Sequence, residues 1–221
     1  MVDWEAVSKK GVLFMNLLIL GATGRVGSEV LRHALREGHE VTVLVRNPDN
    51  LAGLDLDRLR VIVGNVLHAA DIEAAMQGAD AVISALSTDG TDTLSQGMPL
   101  IITAMKNTGV CRIVSVGTAG ILQSRVSPDL LRYQSSESKR ALTRAAEEHH
   151  QVYTLLEQSE LDWTIVCPTY LPDGERLGSY RIEANFLPEN GTQISVADTA
   201  DYVYQQVFSR EHLHTRVGIA Y

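Results

Sequence analysis

A chain of 221 residues is long enough for one domain with a sizeable core, and 45% hydrophobic with 21% charged residues is an ordinary globular balance. The net charge of −8, with no clustered basic stripe, argues against a nucleic-acid binder, because phosphate contacts need concentrated Lys and Arg. An anionic ligand would need local positive charge set against that global sign.

Residues 1–14 precede the first apolar strand and carry no assigned role; a packing helix, an alternative start and a disordered tail all fit them. Lys9 and Lys10 ahead of the apolar stretch 11–22 faintly resemble a signal peptide. Cleavage there would destroy the first strand, and the stretch is too short to span a bilayer, so no membrane association is expected. Met15 is a natural start, and the domain is read as 15–221.

Asn16–Leu20 reads as strand one. Val26, Val30, Leu31, Ala34 and Leu35 then recur at helical spacing, and Gly38 ends that helix. Glu40–Val45 is strand two, 46–50 a turn, and 59–64 strand three. Residues 69–76 form a short helix opened by His68 and closed by Gly78, and 81–86 make strand four. A polar loop precedes a helix over 94–107, Gly109 ends it, and 112–116 is strand five. Irregular sequence leads into a long helix expected over 135–159, then strand six over 161–167. Residues 168–195, rich in Gly, Pro and polar groups, are expected to contribute a small C-terminal substrate cap. A last helix runs to about Phe208 with Asp198 as its expected N-cap, and 217–221 adds a short strand. Strands alternating with helices predict a single α/β domain, a Rossmann-type doubly wound parallel sheet. The near-continuous apolar strands fit a sheet covered on both faces.

The most informative stretch joins strand one to its helix: Gly21-Ala22-Thr23-Gly24-Arg25-Val26-Gly27. Glycines at this spacing allow a tight turn and close approach of backbone to a ligand. The free N–H groups opening the helix favour an anion such as a pyrophosphate. A nicotinamide dinucleotide is therefore expected here. An acidic residue at the end of strand two would take the ribose 2′-hydroxyl of NAD; this chain has Arg46 there, which suits the 2′-phosphate of NADP(H). Arg25 can supply a second positive group. Asn65 and Val66 follow strand three, where adenine is expected, and Leu86 and Ser87 follow strand four, near ribose and pyrophosphate.

The chemistry is less plainly written. A tyrosine–lysine pair at Tyr-x-x-x-Lys spacing, in which lysine lowers the tyrosine pKa, is absent. Tyr153 and Tyr133 are instead followed four positions on by Glu157 and Glu137, and a carboxylate opposes tyrosinate formation. Candidates lie past strands five and six, at the carboxyl edge: Thr118 as a hydrogen-bonding hydroxyl, and Pro168, Thr169 and Tyr170 flanking a nicotinamide. His149 and His150 sit on the long helix, with simple solvation as the competing reading. His212 and His214 lie in a polar tail, and no metal site is expected. Cys111 and Cys167 lack ligand or redox spacing and read as small buried hydrophobes in a reducing cytosol.

These blocks resemble the biliverdin IXβ reductase/flavin reductase group of atypical short-chain dehydrogenases, which is NAD(P)H-binding and NmrA-like. The resemblance runs from about Asn16 to Tyr221 and includes Gly-Ala-Thr-Gly at 21–24, Val-Thr-Val-Leu-Val-Arg at 41–46 and Val-Gly-Asn-Val-Leu-His-Ala-Ala-Asp at 63–71. Asp-Ala-Val-Ile at 80–83 and Ala-Met-Lys-Asn-Thr-Gly-Val at 104–110 also fit. The resemblance implies NADP(H), held by Gly21, Thr23, Gly24, Arg25 and Val26 at the pyrophosphate and Arg46 at the 2′-phosphate. It implies hydride transfer to a flavin or linear tetrapyrrole, with Thr118 in place of a serine, His149 as the helix histidine and Tyr170 in place of a histidine. A second arginine beyond strand two is Asn50 here, and an aspartate after strand three is Asn65. Losing an imidazole at 170 disfavours bilin reduction more than flavin or quinone reduction, which needs little beyond juxtaposed rings and a dry site.

The leading expectation is thus an NADPH-dependent, cytoplasmic reductase of a flavin, quinone or other flat acceptor, monomeric or weakly dimeric. A noncatalytic NADP(H) sensor of the NmrA-like type is the alternative, and an isomerase or epimerase that keeps its nucleotide is a third.

Overall fold

The computed structural model describes residues 14–51, 57–88, 90–138 and 142–221. The expected leader therefore lies outside the described residues except for Phe14, which is exposed. Among the described residues, eight strands form one sheet: β1 (Asn16–Leu20), β2 (Glu40–Val45), β3 (Leu59–Val63), β4 (Ala81–Ser84), β5 (Arg112–Val116), β6 (Asp162–Pro168), β7 (Arg181–Ala184) and β8 (Thr215–Ala220). The helices are α1 (Arg25–Arg36), α2 (Ala69–Met76), α3 (Thr93–Thr108), α4 (Arg144–Glu157) and α5 (Val196–Phe208).

The strand order is β3-β2-β1-β4-β5-β6-β8-β7. All neighbours run parallel except β7, which is antiparallel to β8. Alternation along β1 shows how the layers are made. Leu18 and Leu20 face a core shared with α2, α3 and α4, while Leu17 and Ile19 face one shared with α1 and α5. Both faces are therefore buried, as apolar runs without polar alternation require. The chain winds outward to β3, then returns to place β4 against the other side of β1. The carboxyl ends of β1 and β4 consequently diverge at a switch point, where α/β sheets open a crevice.

Several boundaries differ from expectation for local reasons. Strand four stops at Ser84, so residues 85–87 are loop, anchored by the Ala85 N–H on the Leu20 carbonyl (2.8 Å). The helix expected from 135 begins only at Arg144. Before it, residues 132–134 form one 3-10 turn, where the Ser135 hydroxyl donates to the Arg132 carbonyl and the Glu137 carboxylate accepts from Arg132 and from the Arg125 N–H. Such local side-chain bonds compete with helix formation. The N-cap of α5 is Ser195, not Asp198: the Ser195 hydroxyl accepts the Asp198 N–H at 3.0 Å, so Asp198 sits one turn in. The last strand starts at Thr215, and the expected cap region carries β7, the antiparallel edge strand. Cys111 is exposed rather than buried; Cys167 is buried, as expected.

Candidate active site

The glycine turn is built by close approach. Gly21 has φ +80°, a left-handed conformation, and a Cβ there would strike the Ala85 carbonyl, so the turn can lie directly on the loop after β4. A Cβ on Gly27 would strike the carbonyl of Gly21, which lets the first turn of α1 sit against the end of β1. The N-terminus of α1 has Gly24 as N-cap, no side-chain cap and no acidic residue in its first turn. Its orphan N–H donors and positive dipole end are therefore left for an anion.

This turn forms one wall of a cleft of about 210 Å³ over the carboxyl ends of β1 to β4. Among the sequence-predicted residues, Gly21, Thr23, Gly24, Arg46, Asn65, Val66, Leu86 and Ser87 line it. Arg46 is the one charged residue among them, and no acidic side chain is found among the described residues that line the cleft. Asp71 sets the loop after β3 by accepting the Asn65 N–H at 2.8 Å, while the Asn65 side-chain oxygen accepts the Leu67 N–H at 3.0 Å. With that oxygen used, the Asn65 amide presents donors. Leu44, Val45, Gly64, Leu67, Ala85 and Thr93 also line the cleft. Their only sequence signal was position at strand ends or at the start of α3.

Arg25 and Val26 are outside this lining. Val26 is a core residue of α1. The Arg25 guanidinium donates to the Leu171 carbonyl at 2.8 Å and pairs with Asp173 at 3.3 Å, tying the glycine turn to the segment after β6.

A second cavity of about 460 Å³ lies past β5 and β6. Thr118, Thr169 and Tyr170 line it, joined by Arg132, Tyr133, Glu137, Thr143, Leu187 and Thr192 among others. Tyr170 is 60% exposed, and its carbonyl accepts the Ile194 N–H. The Thr118 hydroxyl caps the following 3-10 turn by a long bond from the Gly120 N–H (3.4 Å). Tyr133 had no periodic signal, because it lies in the irregular stretch before α4. Pro168 is buried at the end of β6 and lines neither cavity.

His149 also lines neither. The residue keeps some accessible surface, but burial of its imidazole pushes the pKa down to about 4, so it is neutral at neutral pH. Burial likewise pushes the Cys167 thiol up to about 12, which leaves it inert. The Tyr153 hydroxyl donates to Glu157 at 2.7 Å; burial first, then that carboxylate, raises its pKa. Tyr133 does not meet Glu137, which is engaged by Arg132; its hydroxyl lies 3.0 Å from His150 Nδ1. Among the described residues, no group of three metal-ligating side chains occurs, and no helix is long and apolar enough to cross a membrane.

A family model described as NAD(P)H-binding matches residues 21–210. An uncharacterised protein of Bacillus subtilis (strain 168), YwnB, is 29% identical over 213 residues, covering 93% of this chain and 98% of its own. A structure from Bacteroides thetaiotaomicron, provisionally assigned as an epimerase, is 30% identical with a TM-score of 0.82, over 95% of this chain and 98% of its own. A structure from Streptococcus pneumoniae TIGR4, provisionally assigned as an NADH-flavin reductase, has a TM-score of 0.79 at 24% identity, over 93% of this chain and 99% of its own. That last likeness is one of fold.

Proposed function

Because the chain belongs to the NAD(P)H-binding family, we propose that it is an NADPH-dependent oxidoreductase that reduces a flavin, a quinone or a similar flat acceptor. The observation that supports the cofactor choice is the lining of the first cleft: among the described residues that line it, the charged side chain is Arg46 and none is acidic. Gly21, Thr23 and Gly24, with the uncapped start of α1, suit the pyrophosphate, with Arg25 and Val26 beside them. Asn65 and Val66 suit the adenine side, and Leu86 and Ser87 the ribose side. Bound there, the dinucleotide would supply a hydride from its nicotinamide.

The second cavity, at the same carboxyl edge, is the proposed acceptor site, with residues 168–195 contributing Thr169, Tyr170, Leu187 and Thr192. Thr118 and Tyr170 would orient the acceptor by hydrogen bonding and ring contact, and Pro168 would pack beneath the nicotinamide side. His149, neutral and off both linings, would act by position only. Alcohol oxidation or an epimerase cycle built on a tyrosine–lysine pair has no support, since Tyr153 is paired with a carboxylate. We place the protein in the cytoplasm as a monomer or weak dimer.

The test is direct: protein, NADPH and FMN are mixed and the nicotinamide absorbance band is followed, then the assay is repeated over a panel of flavins and quinones. Turnover is expected. Tight NADP binding with no turnover on any of them would overturn the reading in favour of a noncatalytic redox sensor.

A further inference from the structure

We propose that Tyr133 donates the proton that completes acceptor reduction, and that His150 relays its replacement from solvent. The proposal rests on the second cavity being the acceptor site.

Tyr133 forms part of that cavity's wall together with Thr118 and Tyr170. A Cβ built on Gly120 would fall 3.1 Å from Ala146, 3.5 Å from Tyr133 and 3.6 Å from Thr118, so the missing side chain lets these three close together. Among the described residues, the Tyr133 hydroxyl has two neighbours, His150 Nδ1 at 3.0 Å and the Gln134 amide nitrogen at 3.3 Å. The orientation of that amide is set independently, because the Gln134 oxygen accepts the Leu131 N–H at 3.0 Å. Gln134 therefore donates to the phenol oxygen. If His150 carries its proton on Nδ1, it donates there too, and the two lone pairs of the oxygen are both used. The single hydroxyl proton is then left for a third partner, a role the proposal gives to the acceptor. Two donors aimed at one oxygen also stabilise the phenolate left behind. Tyr153 shows the opposite case: its proton is held by Glu157.

His150 suits a relay. Its ring is partly buried behind Tyr133, stacks on Tyr153 (centroids 6.4 Å apart) and lines neither cavity. Among the described residues, the charged and titratable groups around it are Tyr133 from the 3-10 turn, Tyr153 and Glu157 on its own helix, and Arg216 from β8. Burial and the Arg216 guanidinium lower its pKa while Glu157 opposes them, so the imidazole rests neutral.

The step balances as follows. The acceptor gains two electrons and one hydrogen as the hydride of the reduced nicotinamide. The Tyr133 O–H bond breaks, and its proton bonds to the reduced nitrogen or oxygen of the acceptor. The phenolate takes the Nδ1 proton of His150 as Nε2 takes one from water, and tautomer exchange with solvent resets the ring. One solvent proton is consumed per acceptor reduced.

Two measurements decide it. In the full-length protein without nucleotide, nitrogen-15 NMR of the histidine rings, with the His150 signal assigned by its loss in His150→Asn, should show the Nδ1–H tautomer. A neutral Nε2–H tautomer would turn the Tyr133 proton toward His150 and overturn the proposal whatever the activity. With FMN and menadione as acceptors, Tyr133→Phe should lower kcat at least about tenfold with NADPH affinity, read by fluorescence, unchanged. His150→Ala should lose rate and shift the pH profile, and His150→Asn, whose amide N–H can stand in for Nδ1–H, should recover part of the rate. Wild-type turnover with Tyr133→Phe within twofold removes the proton path and leaves the reductase reading intact. No wild-type turnover with any acceptor removes both.

Discussion

The Arg25 guanidinium donates to the Leu171 carbonyl at 2.8 Å, across 146 positions of sequence, and so joins the glycine turn to the segment that follows β6. One residue of the proposed nucleotide loop thereby holds the residue next to Tyr170 of the proposed acceptor wall. Arg25→Ala is expected to raise the KM for the acceptor as well as for NADPH. Steady-state kinetics with both substrates varied would test this, and an effect confined to NADPH would show that the tie to Leu171 carries no functional weight.

Among the described residues, Arg46 is the one charge lining the proposed nucleotide cleft. A charge-assisted hydrogen bond contributes about 1.5–3 kcal/mol. Arg46→Ala should therefore weaken NADPH relative to NADH by about tenfold or more in kcat/KM. An unchanged ratio would remove Arg46 from cofactor selection.

Thr118 and Tyr170 line the second cavity and not the first. Thr118→Ala and Tyr170→Phe should change the turnover rate or acceptor KM while leaving NADPH affinity within about twofold, since neither touches the nucleotide cleft. Unchanged turnover in both would place the acceptor elsewhere.

Gly21 and Gly109 separate backbone strain from steric collision. Both have positive φ, +80° and +75°, but a Cβ at Gly21 meets the Ala85 carbonyl whereas one at Gly109 meets nothing within 4 Å. Gly109→Ala should cost only the left-handed strain, roughly 1–2 kcal/mol. Gly21→Ala should cost more than that and abolish NADPH binding. Urea unfolding of the two variants beside NADPH titration makes the comparison, and equal losses would mean that the loop after β4 yields freely.

Two buried groups make stability fall with acid, in two different pH windows. The fully buried Asp198 carboxylate accepts the Leu177 and Gly178 N–H groups (3.0 and 2.8 Å) and the Tyr221 and Ser195 hydroxyls. Burial pushes its pKa up, but those donors outweigh it and hold it below the usual value. Its contribution is present above the unfolded carboxyl pKa, about 3.9, and is lost as pH falls through the folded value. His39 is also fully buried; its Nδ1 accepts the Met15 N–H at 3.2 Å and its Nε2 lies 2.7 Å from the Tyr204 hydroxyl. Burial lowers its pKa, so the folded state resists protonation, and stability should decline as pH drops below the unfolded histidine pKa of about 6.5. Unfolding midpoints between pH 7 and 5 should fall less steeply in His39→Gln, while Asp198→Asn should cost about 1.5–3 kcal/mol at pH 7. Parallel pH profiles for wild type and His39→Gln would contradict the first assignment.

Local chemistry was legible along the chain. The apolar runs of β1 to β6, the glycine spacing at 21–27 and Arg46 at the end of β2 each act through neighbours a few residues away, or through a period that the sequence displays directly. They were enough for a doubly wound sheet and a nucleotide crevice. What stayed hidden depends on groups far apart in sequence. The helix expected from 135 was lost to short-range side-chain bonds around Arg132 and Glu137, which periodicity does not register. The antiparallel seat of β7 is set by pairing with β8, more than thirty residues later. Asp198 read as a cap because its spacing from a helix start was visible, whereas its clasp on Leu177 and Gly178 was not. Tyr133 looked disabled by Glu137 four positions on; only folding gave Glu137 to Arg132 and brought His150 to the phenol. The sequence by itself determined the parallel part of the sheet, the glycine turn and the positive side chain at the end of β2. Which polar side chains meet at the second cavity was decided by tertiary structure, because each hydrogen bond there competes with several partners of equal local merit, and packing selects one.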